Sequence, residues 1–432
     1  MNYFTGYRCS LCGTEYLPDQ ATYTCPKDGG NLDVVLDLES IGKKYEPEDF
    51  ASRDELSLWR YLPLLPVEAP RAGEGTPLKQ AGGTPVYSLP RLAAKHGLEN
   101  LWLKDESRNP TASFKDRASA IVVARARETG ASVIVTASTG NAGAALAGMA
   151  AAAGEKAVIF APKTAPQAKV AQLLVFGAKV LLVDGNYDAA FDLSIQAAEE
   201  FGWYCRNTGF NPFTAEGKKT GALEIWEWQR RMLKDWEKSP SAAKPNGDGL
   251  TKSEAPSLAV FVPVGDGNII SGLHKGFKDL LALGWLERMP RLIGVQAKGS
   301  AAIANAFHAQ AEQIEPVSAT TIADSISVDL PRDGVRAVRA VKETGGTYIT
   351  VSDEAILQAI AELGTAGVFA EPAAAAAYAG FAEAMSAGVV GPGEHILVLS
   401  TGSGLKDVRA AIQSVAAAPI IEPTLEAVKK AL

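Results

Sequence analysis

Lys115 lies in the run Asn109-Pro110-Thr111-Ala112-Ser113-Phe114-Lys115-Asp116-Arg117. Asn-Pro signals a turn, Thr111 or Ser113 can cap, and the pattern predicts a helix over Asp116–Glu128. A cation at a helix N-terminus opposes the macrodipole, which pushes the amine's pKa down. That suits a Schiff-base nucleophile; the alternative is a solvated lysine at a helix start. A second loop, Ser138-Thr139-Gly140-Asn141-Ala142-Gly143, joins a strand to a small-residue helix. Its hydroxyls, amide and free N–H groups fit a substrate carboxylate, or else form a plain strand–helix turn. In a third, Gly265-Asp266-Gly267-Asn268-Ile269, successive backbone amides can cradle a phosphate dianion if the Asp266 carboxylate points away. The fourth is Ser400-Thr401-Gly402-Ser403-Gly404. A hydroxyl at a strand end can hydrogen-bond a heteroaromatic nitrogen without charging it, although such a loop alone reads as a polar turn.

Histidine chemistry is poorly supported. The chain has 4 histidines, and none stands in the spacing of a triad or a metal site. His395 precedes a β-branched strand, where a structural role is expected. No GxxxxGK[ST] or GxGxxG loop is present.

The elements that must position these loops alternate along the chain. Strands are predicted over Val133–Thr136, Ala157–Phe160, Val180–Val183, Leu258–Val264, Leu292–Gln296 and Ile396–Leu399. Helices are predicted over Ala142–Ala153, Pro166–Phe176, Tyr187–Phe201, Ile269–Leu283 and Glu371–Met385, several stopped by a glycine. Such alternation implies an α/β protein with mainly parallel sheets wrapped by helices. Ligands in these folds gather at the carboxyl ends of the strands, where the four loops sit. Ser239–Ser257 is rich in Ser, Pro, Ala and Gly and reads as a flexible surface insertion. Pro423–Leu432 reads as a short packing helix.

Composition narrows the class. Of 432 residues 47% are apolar and 21% charged, as in ordinary globular proteins. The net charge of −7, with no basic block, argues against nucleic acid as the main partner. No apolar run is long enough for a membrane span, and the N-terminus lacks the order of a signal peptide. A cytoplasmic protein is expected.

The first 37 residues carry three of the 4 cysteines. Cys9-x2-Cys12 followed by Cys25-x2-Asp28 has the spacing of paired zinc knuckles, with Asp28 in the fourth place. Either the four bind zinc, or the segment is a ribbon that has lost its metal. Cys205, in the strand-like run WYCRN, reads as a packed core thiol.

Taken together and in order, SFKDR, STGNAG, VPVGDGN, EPAAAAA and STGSG resemble the fold-type II family of pyridoxal phosphate enzymes over roughly residues 75–410. Within it, the Cys segment, the NPTASFKDR form and Thr401 are most similar to the threonine synthase branch. The resemblance implies a tryptophan synthase beta-like fold with a large cofactor domain (41–130 and 215–415) and a small α/β domain (131–214). A ribbon-like segment (1–40) and a C-terminal tail (416–432) flank them. It implies that Lys115 carries the cofactor and moves protons, that Asn141 faces the cofactor's phenolic oxygen, and that Gly265, Asp266, Gly267, Asn268 and Ile269 hold its phosphate. Thr401 would face the pyridine nitrogen, and Ser138, Thr139, Asn141 and Ala142 would bind the substrate α-carboxylate. The implied reaction turns O-phospho-L-homoserine and water into L-threonine and phosphate, in a cytoplasmic homodimer.

Two stretches depart from the family pattern. Thr214 stands where many members carry an arginine that grips the substrate phosphate, and Ala323–Asp329 lacks the usual Gly-Asn-Pro. Lys218, Lys219 or Arg332 can compensate, or each can lie on a solvated face. A dehydratase or β-replacement enzyme acting on another amino acid therefore stays open, as does a non-catalytic small-molecule binder on the same scaffold. Lys115 argues against the last, since a binding module needs no amine at the cofactor aldehyde.

Overall fold

A computed structural model describes residues 3–51, 54–70, 75–237 and 257–432. The insertion expected at 239–257 lies outside the described residues apart from Ser257. Two helix-wrapped sheets and a small N-terminal sheet make up the molecule. The larger has six strands in the spatial order Thr347–Val351, Arg291–Ala297, Leu258–Pro263, His395–Ser400, Leu101–Asp105 and Val86–Ser88. All pairs are parallel except the last, where Val86–Ser88 runs antiparallel along Leu101–Asp105. Leu258–Pro263 and His395–Ser400 are buried at every residue, as expected of central parallel strands covered on both faces. The second sheet is parallel throughout, in the order Lys179–Val183, Ala157–Pro162, Ile134–Ala137 and Tyr204–Cys205. Cys205 is fully buried in it.

The alternation in the sequence maps onto these elements with shifts of a residue or two, and the helix Tyr187–Phe201 has the predicted bounds. A longer helix was not legible. Phe213–Glu237 begins directly after Asn211-Pro212 and runs through Gly217 and Gly221. Gly217 is there for closeness rather than for a turn: a Cβ would come within 2.2 Å of the Arg117 carbonyl oxygen. The helix Lys115–Glu128 crosses at that point.

A buried ionic network fixes the same crossing. The Arg117 guanidinium donates to Glu106 at 2.8 Å and to Glu224 at 2.7 Å, and Lys104 Nζ donates to Glu224 at 2.7 Å. Each charge has an opposite partner, the condition under which buried ions are tolerated. Lys115 is therefore carried on a helix anchored two residues later, through Arg117, to Glu106 directly after strand Leu101–Asp105 and to Glu224 of helix Phe213–Glu237.

The N-terminal sheet is antiparallel, in the order Glu15–Tyr16, Phe4–Cys9, Leu32–Leu36. It docks through Arg336 to Asp33 at 2.7 Å and through Arg339 to the Ser10 carbonyl at 2.6 Å. At the other end, Leu425–Ala431 is helical but buries no residue, so the expected packing is not found. Its apolar Leu425 and Leu432 remain exposed. Among the described residues no helix is long and apolar enough to cross a membrane.

Candidate active site

Four loops from the two sheets converge on one cavity of about 510 Å³. Its wall includes Lys115, Ser138, Thr139, Asn141, Ala142, the whole of Gly265–Ile269, and Thr401. Every residue singled out for cofactor or α-carboxylate is thus brought to one place. The Cys9, Cys12, Cys25 and Asp28 group lies elsewhere, in the N-terminal segment.

Lys115 opens the helix Lys115–Glu128, with Phe114 as N-cap and no side-chain capping bond. The expected caps act otherwise. The Thr111 N–H donates to Asp116 at 2.6 Å and its hydroxyl donates to the other carboxylate oxygen, while Ser113 Oγ is buried without a partner. The turn requires a left-handed Ala112, at φ 63°, a strained conformation for a residue with a Cβ. Bonds to the fourth loop hold it: Phe114 N–H donates to the Thr401 carbonyl at 2.8 Å and Ser403 N–H to the Ala112 carbonyl at 3.1 Å. Thr401 and Lys115 are thereby fixed relative to one another.

The Lys115 amine is pushed below the ordinary lysine range, as expected, but chiefly by burial and then by the Arg206 charge. Glu371 and Asp266 act in the opposite direction. The dominant cause is desolvation, which disfavours the ammonium form.

The Gly265–Ile269 loop leads into the helix Asn268–Ala282, whose N-cap Gly267 has φ 91° and offers no capping side chain. The first-turn amides are therefore left without a side-chain cap. A Cβ at Gly267 would meet the Asp333 carbonyl oxygen at 2.7 Å, so the cradle admits only glycine there. The donor set and the glycine cradle fit a phosphate-bearing heteroaromatic aldehyde whose carbonyl carbon meets the Lys115 amine. Asp266 remains part of the cavity wall, with a carboxylate that accepts the Arg332 N–H at 3.2 Å.

Several residues of the wall were not singled out from the sequence. Glu371, in EPAAAAA, accepts from the Asn141 amide at 2.8 Å, and burial raises its carboxyl above the usual range. The Asn141 amide nitrogen is thus already engaged by Glu371 and, at 3.3 Å, by Ser325. Arg206, read only as part of a core run, is fully buried in the wall beside Thr208. Of the three cations considered for the missing arginine, Lys219 turns away to Glu216 and Asp279. Arg332 lines the cavity but pairs with Asp188 at 2.7 Å. Lys218 is fully buried and lines the cavity, not a solvated face.

Comparison with known proteins identifies the family. The family model described as pyridoxal-phosphate dependent enzyme matches residues 78–402. The chain is 36% identical to a threonine synthase of Methanocaldococcus jannaschii, covering 94% of each chain. It is 35% identical to one of Methanosarcina acetivorans, covering 98% of each. Among solved structures, it is similar to diaminopropionate ammonia lyase from Escherichia coli, with TM-score 0.63 and 20% identity over 88% of this chain and 93% of that one. Threonine deaminase isoform 2 from Solanum lycopersicum gives TM-score 0.62 at 21% identity, over 81% and 92% of the two chains.

Proposed function

Because the chain belongs to the threonine synthases, within the pyridoxal-phosphate dependent enzymes, we propose that its cavity converts O-phospho-L-homoserine and water into L-threonine and phosphate. The observation that carries this is the gathering of Lys115, Asn141, the Gly265–Ile269 amides and Thr401 around one cavity. Pyridoxal 5'-phosphate, when bound, supplies the electron sink for loss of the substrate's α and β protons and of its γ-phosphate. Lys115 would hold the cofactor covalently and carry protons at its Nζ. An amine held below its ordinary pKa spends more of its time unprotonated near neutral pH, as a nucleophile and base must. Thr401, in the cavity wall, would offer a neutral hydroxyl to the ring nitrogen, and such a partner would leave that nitrogen uncharged. The first-turn amides of Asn268–Ala282 would take the cofactor phosphate. Ser138, Thr139, Asn141 and Ala142, at the start of helix Asn141–Ala153, would receive the substrate α-carboxylate. Asn141 would contribute its backbone N–H, since its side-chain amide nitrogen donates to Glu371.

A second reading, a dehydratase or β-replacement enzyme on another amino acid, is favoured by one observation. Thr214 is buried and donates to the Asn211 carbonyl at 2.7 Å, outside the cavity wall, so its position supplies no phosphate-gripping cation. Product analysis separates the two. Phosphate and threonine formed in equal amounts from O-phosphohomoserine support the synthase; ammonia and a keto acid from threonine or serine, without phosphate release, support the alternative.

We further propose that Cys9, Cys12, Cys25 and Asp28 hold a structural zinc ion. Their four donor atoms lie within 4.8 Å of one another. Cys12 Sγ and Cys25 Sγ are 3.9 Å apart, close to the edge of roughly 3.8 Å that a tetrahedron with Zn–S bonds of about 2.3 Å requires. The Leu11 N–H donates to Cys9 Sγ at 3.3 Å, which stabilises thiolate charge. A cytoplasmic homodimer acting on a small amino-acid substrate completes the proposal, on the family likeness.

A further inference from the structure

Among the described residues, six lysines and arginines are buried: Lys104, Arg117, Arg206, Lys218, Lys219 and Arg336. Four of them carry carboxylate ion pairs, Lys104 and Arg117 with Glu224, Lys219 with Asp279, and Arg336 with Asp333. Arg206 and Lys218 differ. The Arg206 guanidinium donates only to hydroxyls, to Thr208 at 2.7 Å and Ser119 at 3.3 Å, and its Nη2 is buried without a partner. The Lys218 amine donates to the neutral amide oxygen of Asn268, the first residue of the helix that follows the glycine loop. Both side chains line the same cavity as Lys115. No carboxylate among the described residues forms an ion pair with either; Asp333 and Asp266 favour the charged form of Lys218, and Asp116 and Asp266 that of Arg206, only from farther away, and the Asp266 carboxylate accepts the Arg332 N–H.

Two buried cations without ion pairs are costly unless a bound anion offsets them. We propose that Arg206 and Lys218 together form a subsite for a phosphate monoester dianion, standing in for the arginine that Thr214 replaces. Arg206 Nη2 is the free donor, and Lys218 extends the anion site of the helix N-terminus beside it. The phosphate belongs either to the cofactor or to the substrate. The proposal rests, for its cofactor arm, on the assignment of pyridoxal phosphate above. Burial lowers both basic groups, Arg206 to about 10, and for Lys218 the Lys115 and Arg206 charges act in the same direction.

Wild type, Arg206→Gln and Lys218→Met are compared by titrating the apoenzyme with pyridoxal 5'-phosphate and with pyridoxal. Inorganic phosphate is then titrated into the holoenzyme by calorimetry. Affinity for pyridoxal 5'-phosphate tenfold or more below wild type, with pyridoxal unchanged, assigns the subsite to the cofactor's phosphate. A tenfold or greater loss of inorganic phosphate binding, with cofactor affinity unchanged, assigns it to the substrate's. Removing an uncompensated buried charge also predicts that apo Lys218→Met melts at or above the wild-type temperature. Variants that bind both phosphates within twofold of wild type overturn the proposal, and so does a Lys218→Met chain that does not fold. A wild type that takes up neither vitamer at Lys115 sinks the cofactor assignment instead, a result distinguishable from either.

Discussion

The side-chain amide of Asn141 donates to both carboxylate oxygens of Glu371, at 2.8 and 3.0 Å. Glu371 is itself tied to the fourth loop, its N–H donating to the Gly402 carbonyl at 3.0 Å. One buried residue, Glu371, thus connects the helix start after Ile134–Ala137, through its carboxylate, with the loop after His395–Ser400, through its backbone N–H. Asn141→Asp, nearly the same size, turns this donor into an acceptor facing a carboxylate. It is expected to destabilise the protein by roughly 2–4 kcal/mol and to cost more than Asn141→Ala, which only removes the bond. Urea midpoints of the two variants check the order; Asn141→Ala as the worse of the pair would contradict it.

Arg117→Met leaves Glu106 and Glu224 buried without their guanidinium. A loss of roughly 3–5 kcal/mol is expected, the usual consequence of removing one partner of a buried ion pair. Chemical denaturation measures it, and a change below about 1 kcal/mol would mean that Lys104 alone neutralises both carboxylates.

Burial raises Asp116 to about 6 in the folded chain, against the two Thr111 hydrogen bonds and the Lys406 charge, which oppose the rise. A carboxyl raised in the folded state binds its proton more tightly there than when unfolded. Its contribution is therefore complete below about pH 4 and is lost as pH rises through 6, by roughly 2–3 kcal/mol at most. The stability of wild type relative to Asp116→Asn should fall between pH 4 and 6 and stay level above pH 7. A difference that does not vary with pH would place the Asp116 carboxyl at its ordinary value.

Protein purified without chelators should contain about one zinc per chain, held as in other four-ligand structural sites. Cys12→Ser should lose most of it and melt at a lower temperature. Elemental analysis decides, and a wild type with less than about a tenth of an equivalent after growth with zinc would show a metal-free ribbon.

Much of the fold is legible in the sequence because buried parallel strands are short β-branched runs and their helices end at glycines. Tyr187–Phe201 needed nothing further. The four loops could be placed because strand ends concentrate Gly, Ser, Thr and Asn. Phe213–Glu237 was hidden because Gly217, which permits helix crossing, looks the same in sequence as a glycine that breaks a helix. Arg206 was hidden because a buried arginine beside a core cysteine carries no local signal of the cavity it faces. The Lys115 shift had the right direction for an incomplete reason: the sequence shows the helix start, but burial and Arg206 exist only after folding.

The account depends most on Lys115 as the side chain that carries pyridoxal phosphate. Borohydride reduction of the holoenzyme followed by peptide mass spectrometry tests this directly. The adduct is expected on the peptide containing Lys115 and is expected to be lost in Lys115→Ala. An adduct on Lys218 or any other lysine, or none on a protein saturated with the cofactor, would contradict it.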